Sequence, residues 1–166
     1  MKAYKIILSF IRSVASGWAI LTFAVMTVAV LLQVGGRYFF NYSIAEFVEV
    51  ATLSQIWMVL IGAGVAARED IHARVDVLVN KFPLTIKRGF FLATAFLGIV
   101  FLASVMVGAF PMIENGQYQT TPTLGIPMWI PYLGLVLGPA YFIVEVIDLT
   151  VRQWSAGGQP LVKQTD

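Results

Sequence analysis

The stretch GGRYFFNYSIAEFVEV, positions 35–50, holds Arg37, Glu46 and Glu49 between two long apolar runs. Carboxylates three positions apart stand on one face of a helix. There they could bind a cation, pass a proton or pair with a nearby arginine. Ion-coupled carriers place such groups near the bilayer midplane beside broken helices, whereas Glu46 and Glu49 sit at the edge of a run. Ser43, three positions before Glu46, makes a capping box, so Glu46 reads locally as a helix cap. Glu49 lies one turn further in on the same face. Arg37 falls just past the end of the first run, on the same membrane side. The most economical chemistry is an ion pair tying two helix ends together. The same cluster, with Tyr38 beside it, can also anchor a partner subunit or a lipid headgroup, and the two roles are compatible.

Other reactive groups are few. His72 and Asp76 stand at i, i+4 on the polar side of the segment REDIHARVDVLVNKF. They supply two metal ligands where three or four are needed, so they read as a pair that orients a helix or meets a partner. One histidine excludes bis-histidine haem within a single chain. With no cysteine there is no thiolate nucleophile, thiolate metal site or disulfide. The sequence lacks GxSxG, HExxH and P-loop patterns. No catalytic residue, cofactor or metal site is expected, and an enzyme is not. Glu145 and Asp148, three apart near the end of the last apolar run, read as interfacial rather than conducting. Asn41-Tyr42-Ser43 matches a glycosylation sequon, which matters only in a secretory-pathway host.

The elements that must position these residues are spanning helices. Apolar residues make up 58% of the 166 positions and charged residues only 12%, against about a quarter in soluble domains. The net charge of +2 is too small to suggest nucleic acid. Four segments approach the roughly 20 apolar residues that cross a bilayer: about 14–34, 46–67, 89–113 and 128–147. The first follows Lys2, Lys5 and Arg12 but exceeds a signal-peptide core and lacks a small-x-small cleavage site, so it reads as a retained span. Lys2, Lys5 and Arg12 precede span one. Arg68, Arg74, Lys81, Lys87 and Arg88 lie between spans two and three, and Arg152 and Lys163 follow span four. Arg37 alone of the eleven basic residues falls on the other side. The positive-inside rule then puts both termini and the middle loop in the cytoplasm. Trp18, Tyr38, Tyr42, Trp129, Tyr132 and Trp154 fall near span ends, as headgroup-layer aromatics do. Trp57 is mid-span and reads as a helix-packing residue.

Two segments look amphipathic. Tyr4, Ile7, Leu8 and Ile11 share a face over about 3–12, and Ile71, Val75, Leu78 and Phe82 form a stripe over 70–82 that Pro83 ends. Both are expected to lie on the cytoplasmic surface, the second wedging spans two and three apart. Gly134 and Gly138 form a GxxxG pair in span four, which also holds Pro131 and Pro139. Ser104 and Gly108 repeat the spacing in span three, and such faces let helices approach closely in lipid. The reading is an all-α integral membrane protein. Residues 1–154 form a single four-span domain, splayed rather than compact, followed by a polar tail at 155–166.

The ordered set RYFFN at 37–41, Glu46 and Glu49, GAGVAARED at 62–70 and IHARVDVL at 71–78 before Pro83 resembles the small membrane subunit (DctQ-like) of tripartite ATP-independent periplasmic (TRAP) transporters. The resemblance covers nearly the whole chain, although the C-terminal half matches in topology only. It implies a bacterial inner-membrane subunit that braces a large, many-spanning partner holding the substrate and sodium sites. It also implies a periplasmic binding protein that delivers an organic acid. The outward loop ENGQYQTTPTLGIP, which has no basic residue, is then a connector or a receiver for that protein. The other readings are a self-sufficient four-span drug/proton antiporter, which needs an acidic residue within a span, and a non-transport assembly subunit of another membrane complex. The substrate is not readable from this chain.

Overall fold

Positions 8, 15, 22 and 29 of the first helix are the small or apolar residues Leu8, Ala15, Thr22 and Ala29, and all four are buried. A seven-residue repeat keeps one seam of a helix against its neighbour, and here that neighbour is the second helix. The computed structural model describes residues 2–41, 44–79 and 84–155, with the side chains of 4, 6–39, 41, 44–68, 89 and 92–152. Four helices occupy these residues: α1 (Lys2–Phe40), α2 (Ala45–Val79), α3 (Leu84–Gly116) and α4 (Trp129–Ser155). Each contains a segment long and apolar enough to cross a membrane: Ile6–Phe39, Ala45–Arg68, Leu92–Gly116 and Trp129–Arg152.

The ends of the helices have local causes. α1 stops at Asn41, whose φ of 51° is the left-handed conformation that asparagine tolerates at a helix C-terminus. α3 stops at Gly116, where a Cβ would come within 2.8 Å of the Trp129 backbone nitrogen, so only glycine lets α4 begin there. Pro131 falls in the first turn of α4, where its missing N–H removes no helical bond.

The amphipathic segments at 3–12 and 70–79 are not separate surface helices among the described residues. They continue α1 and α2 without interruption. The physical reason is the lack of a breaker. No proline separates residues 3–12 from span one or 70–79 from span two, and the buried seam of α1 runs in phase from Leu8 into the span. Residues 80–83, with Phe82 and Pro83, lie outside the described residues, as do 156–166 of the tail and the side chains of Ile71, Val75 and Leu78.

The helices form an open row. α1 packs on α2, α2 on α4, and α4 on α3. The inner position of α4 is visible in burial: 39% of its spanning window is buried, against 11% for α3. Trp57 of α2 meets Trp18 of α1 edge to face, with ring centroids 6.0 Å apart. Trp18 therefore joins a helix–helix contact as well as lying toward a span end. On its other side α2 meets the glycine face of α4. A Cβ on Gly138 would fall 2.7 Å from Leu60 Cβ and 2.8 Å from its carbonyl oxygen, and one on Gly134 would fall 3.1 Å from Leu60 Cδ1. Tyr141 continues this face against Gly64, where a Cβ would lie 2.6 Å from the ring. Gly108 has open space around it instead, and Ser104 is not fully covered, so that pair makes no close approach within the chain.

Candidate functional site

Polar side chains gather at the two opposite ends of the helices. At the end where α1 begins and α4 finishes, Arg12 of α1 reaches Glu145 and Asp148 of α4. Its Nε donates to Glu145 Oε1 at 2.9 Å, and its Nη2 donates to Glu145 Oε2 at 2.5 Å and Asp148 Oδ2 at 2.6 Å. Arg152 Nε lies 2.9 Å from Asp148 Oδ2, and the Tyr4 hydroxyl donates to Asp148 Oδ1 at 3.1 Å. Glu145 is 0% exposed and Asp148 3%. Two buried carboxylates with two guanidinium groups make a neutral set, and the fork geometry of arginine satisfies both oxygens of Glu145. Carboxylates held in this way have no free coordination for a travelling ion, so the cluster is chemically a lock.

Sequence reasoning found neither the lock nor its members' roles, because Arg12 and Glu145 are 133 positions apart. A signal existed. Glu145 and Asp148 put two negative charges one turn apart within an apolar span, and such residues face an interior partner.

At the other end, Glu49 turns toward the α3–α4 loop. Its Oε2 accepts the backbone N–H of Thr123 at 3.0 Å and of Leu124 at 3.1 Å. The loop is itself closed. Thr121 N–H donates to Ile126 O at 2.9 Å, Ile126 N–H donates to Thr121 Oγ1 at 3.0 Å, and Thr120 bridges to Pro127. Gly125, at φ 66°, supplies the left-handed turn residue. The connector expected between spans three and four is therefore a fixed structure with Glu49 as its clamp.

The expected tie between Arg37 and Glu46 or Glu49 is not formed. Arg37, Tyr38 and Glu46 are exposed and make no ion pair or hydrogen bond with another described residue. The reason is register: α1 and α2 end and begin around Asn41, and the Glu49 face of α2 points toward α4's entry loop rather than back to α1. Ser43, the expected partner in the capping box, lies outside the described residues. The backbones of His72 and Asp76 belong to α2, but their side chains also lie outside. Gly134 and Gly138 stand at the α2–α4 contact. Among the described residues, no group of three or more His, Asp or Glu could hold a metal.

A clamp of this kind has a measurable signature. In a Glu49→Ala variant the Thr123 and Leu124 amides are expected to lose protection against hydrogen exchange, while the α2–α4 amides keep theirs. Unchanged exchange in the loop would show that Glu49 does not hold it.

Residues 26–156, from the second half of α1 through α4, match the profile of the family described as tripartite ATP-independent periplasmic transporters, DctQ component. The chain belongs to the DctQ family. It is 28% identical over 127 residues to a Haemophilus influenzae protein named as a TRAP transporter small permease, covering 76% of this chain and 78% of that protein. It is 32% identical over 103 residues, 61% of this chain, to the Rhodobacter capsulatus C4-dicarboxylate TRAP transporter small permease DctQ. For the Vibrio cholerae protein of the same name the figures are 27% over 112 residues and 65% of this chain. The chain spans about half the length of these two relatives, 45% and 48%. As a DctQ-family protein it is a multi-pass inner-membrane component of a TRAP transporter, a transport protein by family rather than an enzyme. Within the DctQ match lie both the Glu49 clamp and the Glu145–Asp148 half of the lock, whereas Arg12 precedes it.

Proposed function

We propose that this chain is the small scaffold subunit of a sodium-coupled, binding-protein-dependent TRAP transporter for an organic acid. It braces a large membrane subunit that holds the substrate and sodium sites. The observation carrying this reading is the open row itself. Its buried carboxylates, Glu145 and Asp148, are fully engaged in a lock at one end, which leaves the middle of the described spans without a carboxylate, lysine, arginine or histidine to move cargo. Long flat faces remain to brace a neighbour. An acid as cargo is supported by the C4-dicarboxylate names of two relatives. The basic residues favour an orientation with both termini cytoplasmic, which puts the clamped 117–128 loop in the periplasm, where a binding protein delivers its load.

The test is sodium-driven uptake of a labelled C4-dicarboxylate or sialic acid into proteoliposomes supplied with the cognate binding protein. The large subunit is reconstituted with and without this chain. Uptake that falls to background without this chain, and is absent when it is reconstituted alone, is the expected result. Full uptake by the large subunit alone would remove the bracing role. Proton-driven flux through this chain alone would establish the antiporter reading instead.

A further inference from the structure

The spans contain several Ser and Thr hydroxyls, and five of them are satisfied in the same way. Thr22, Thr27, Thr52, Ser104 and Thr150 each donate to a carbonyl one turn back in their own helix. Gln55 is different. It lies ten residues from the start of the Ala45–Arg68 span and thirteen from its end, near the middle of the hydrocarbon. Its side chain is exposed and makes no hydrogen bond with another described residue. A primary amide carries two donors and an acceptor that its own helix cannot absorb, and lipid offers none.

Gln55 also sits on a distinctive face. The exposed positions of α2 within the span include Val48, Thr52, Gln55, Val59, Ala63 and Ala66, which recur at helical spacing as one stripe. Apart from two valines these are small or polar. The edge helices expose more bulk, with Phe23, Leu31 and Leu32 on α1 and Phe96, Leu97 and Phe101 on α3, although α3 exposes the small residues Ser104 and Gly108 among them. Bulky apolar side chains suit acyl chains, whereas small residues around a polar one suit a second helix.

We propose that the Gln55 stripe of α2 is the docking face for a spanning helix of the large membrane subunit, and that this helix brings a polar group to the Gln55 amide at mid-membrane. The proposal rests on the reading of this chain as a small scaffold subunit. It goes beyond that reading by assigning the face and the residue. The occupant is a helix rather than lipid because only a helix can supply a hydrogen-bond partner at that depth. It is the large subunit rather than a second copy because a TRAP transporter component of this family has such a neighbour to brace.

The test uses the complete transporter in its native membrane, with a benzophenone amino acid at Val59 on the stripe or at Phe101 on α3. Expected is a crosslink to the large subunit from position 59 and none from position 101. A Gln55→Leu variant should weaken association of the purified subunits by roughly three- to fifteenfold, the range of one interhelical hydrogen bond in lipid. The isolated variant should melt no earlier than wild type, since the amide has no described partner within the chain. Crosslinks from position 101 in place of 59, a crosslink between two copies of this chain, or unchanged association of Gln55→Leu would each overturn the proposal. If the wild-type chain fails to co-purify with any large subunit, the scaffold reading falls first. A large subunit that co-purifies but crosslinks elsewhere removes this assignment alone.

Discussion

An Arg12→Ala variant is expected to be the most damaging single change among the polar residues, lowering stability by about 3–5 kcal/mol. The loss is not that of one favourable contact. Glu145 is fully buried and takes bonds from both Nε and Nη2 of Arg12, so removal of the guanidinium leaves a buried carboxyl group without its principal partner. Arg152 cannot stand in, because its guanidinium is turned to Asp148. A lysine at position 12 restores the charge but not the fork, so Arg12→Lys should recover only part of the stability. The double variant Arg12→Gln with Glu145→Gln should be less damaged than Arg12→Ala, because neither side is left charged and alone. Thermal unfolding of the purified chain in detergent, followed by tryptophan fluorescence, reads all three. Equal melting of wild type and Arg12→Ala would mean that water or detergent solvates Glu145 and that the lock carries no stability.

The second large effect is expected at Gly138. A methyl group at this position would meet the Leu60 backbone as well as its Cβ, all under 3 Å, and backbone cannot rotate away. Gly138→Val should therefore force α2 and α4 apart, costing about 3 kcal/mol or more, at or beyond the upper end for overpacked cores. Gly134→Ala meets the flexible end of Leu60 at 3.1 Å and the Trp57 ring at an ordinary contact distance of 3.7 Å, and Gly108→Ala meets nothing within 4 Å. The expected order of destabilisation is Gly138 over Gly134 over Gly108, and melting temperatures of the three variants check it. A Gly108 variant as damaged as Gly138→Val would contradict the α2–α4 packing.

The spans and the glycine face were legible in the sequence because both are local signals. Twenty apolar residues in a row cannot be hidden, and Gly134 and Gly138 show their spacing directly. The polar contacts were not legible, since each charged residue already had a nearby explanation. Glu49 had Arg37 within reach along the chain, yet it bonds a loop 74 residues away. Arg12 passes for a surface charge ahead of a span, and Glu145 for an interfacial one. Helix continuity is hidden for a related reason. Amphipathic segments at 3–12 and 70–79 suggest separate helices, but a change of polarity does not end a helix unless the backbone is also interrupted.

The lock also has a place in time. Arg12 and Glu145 are separated by 133 residues, so at about 5–20 residues per second of synthesis the arginine precedes its carboxylate by roughly 7–27 s. Throughout that interval Arg12 is without its carboxylate partners on α4, and an unpaired charge is costly in hydrocarbon. Only the arrival of the fourth helix lets that charge settle inward. The fourth helix thus completes the first, and until Glu145 and Asp148 are made Arg12 has neither carboxylate of the lock.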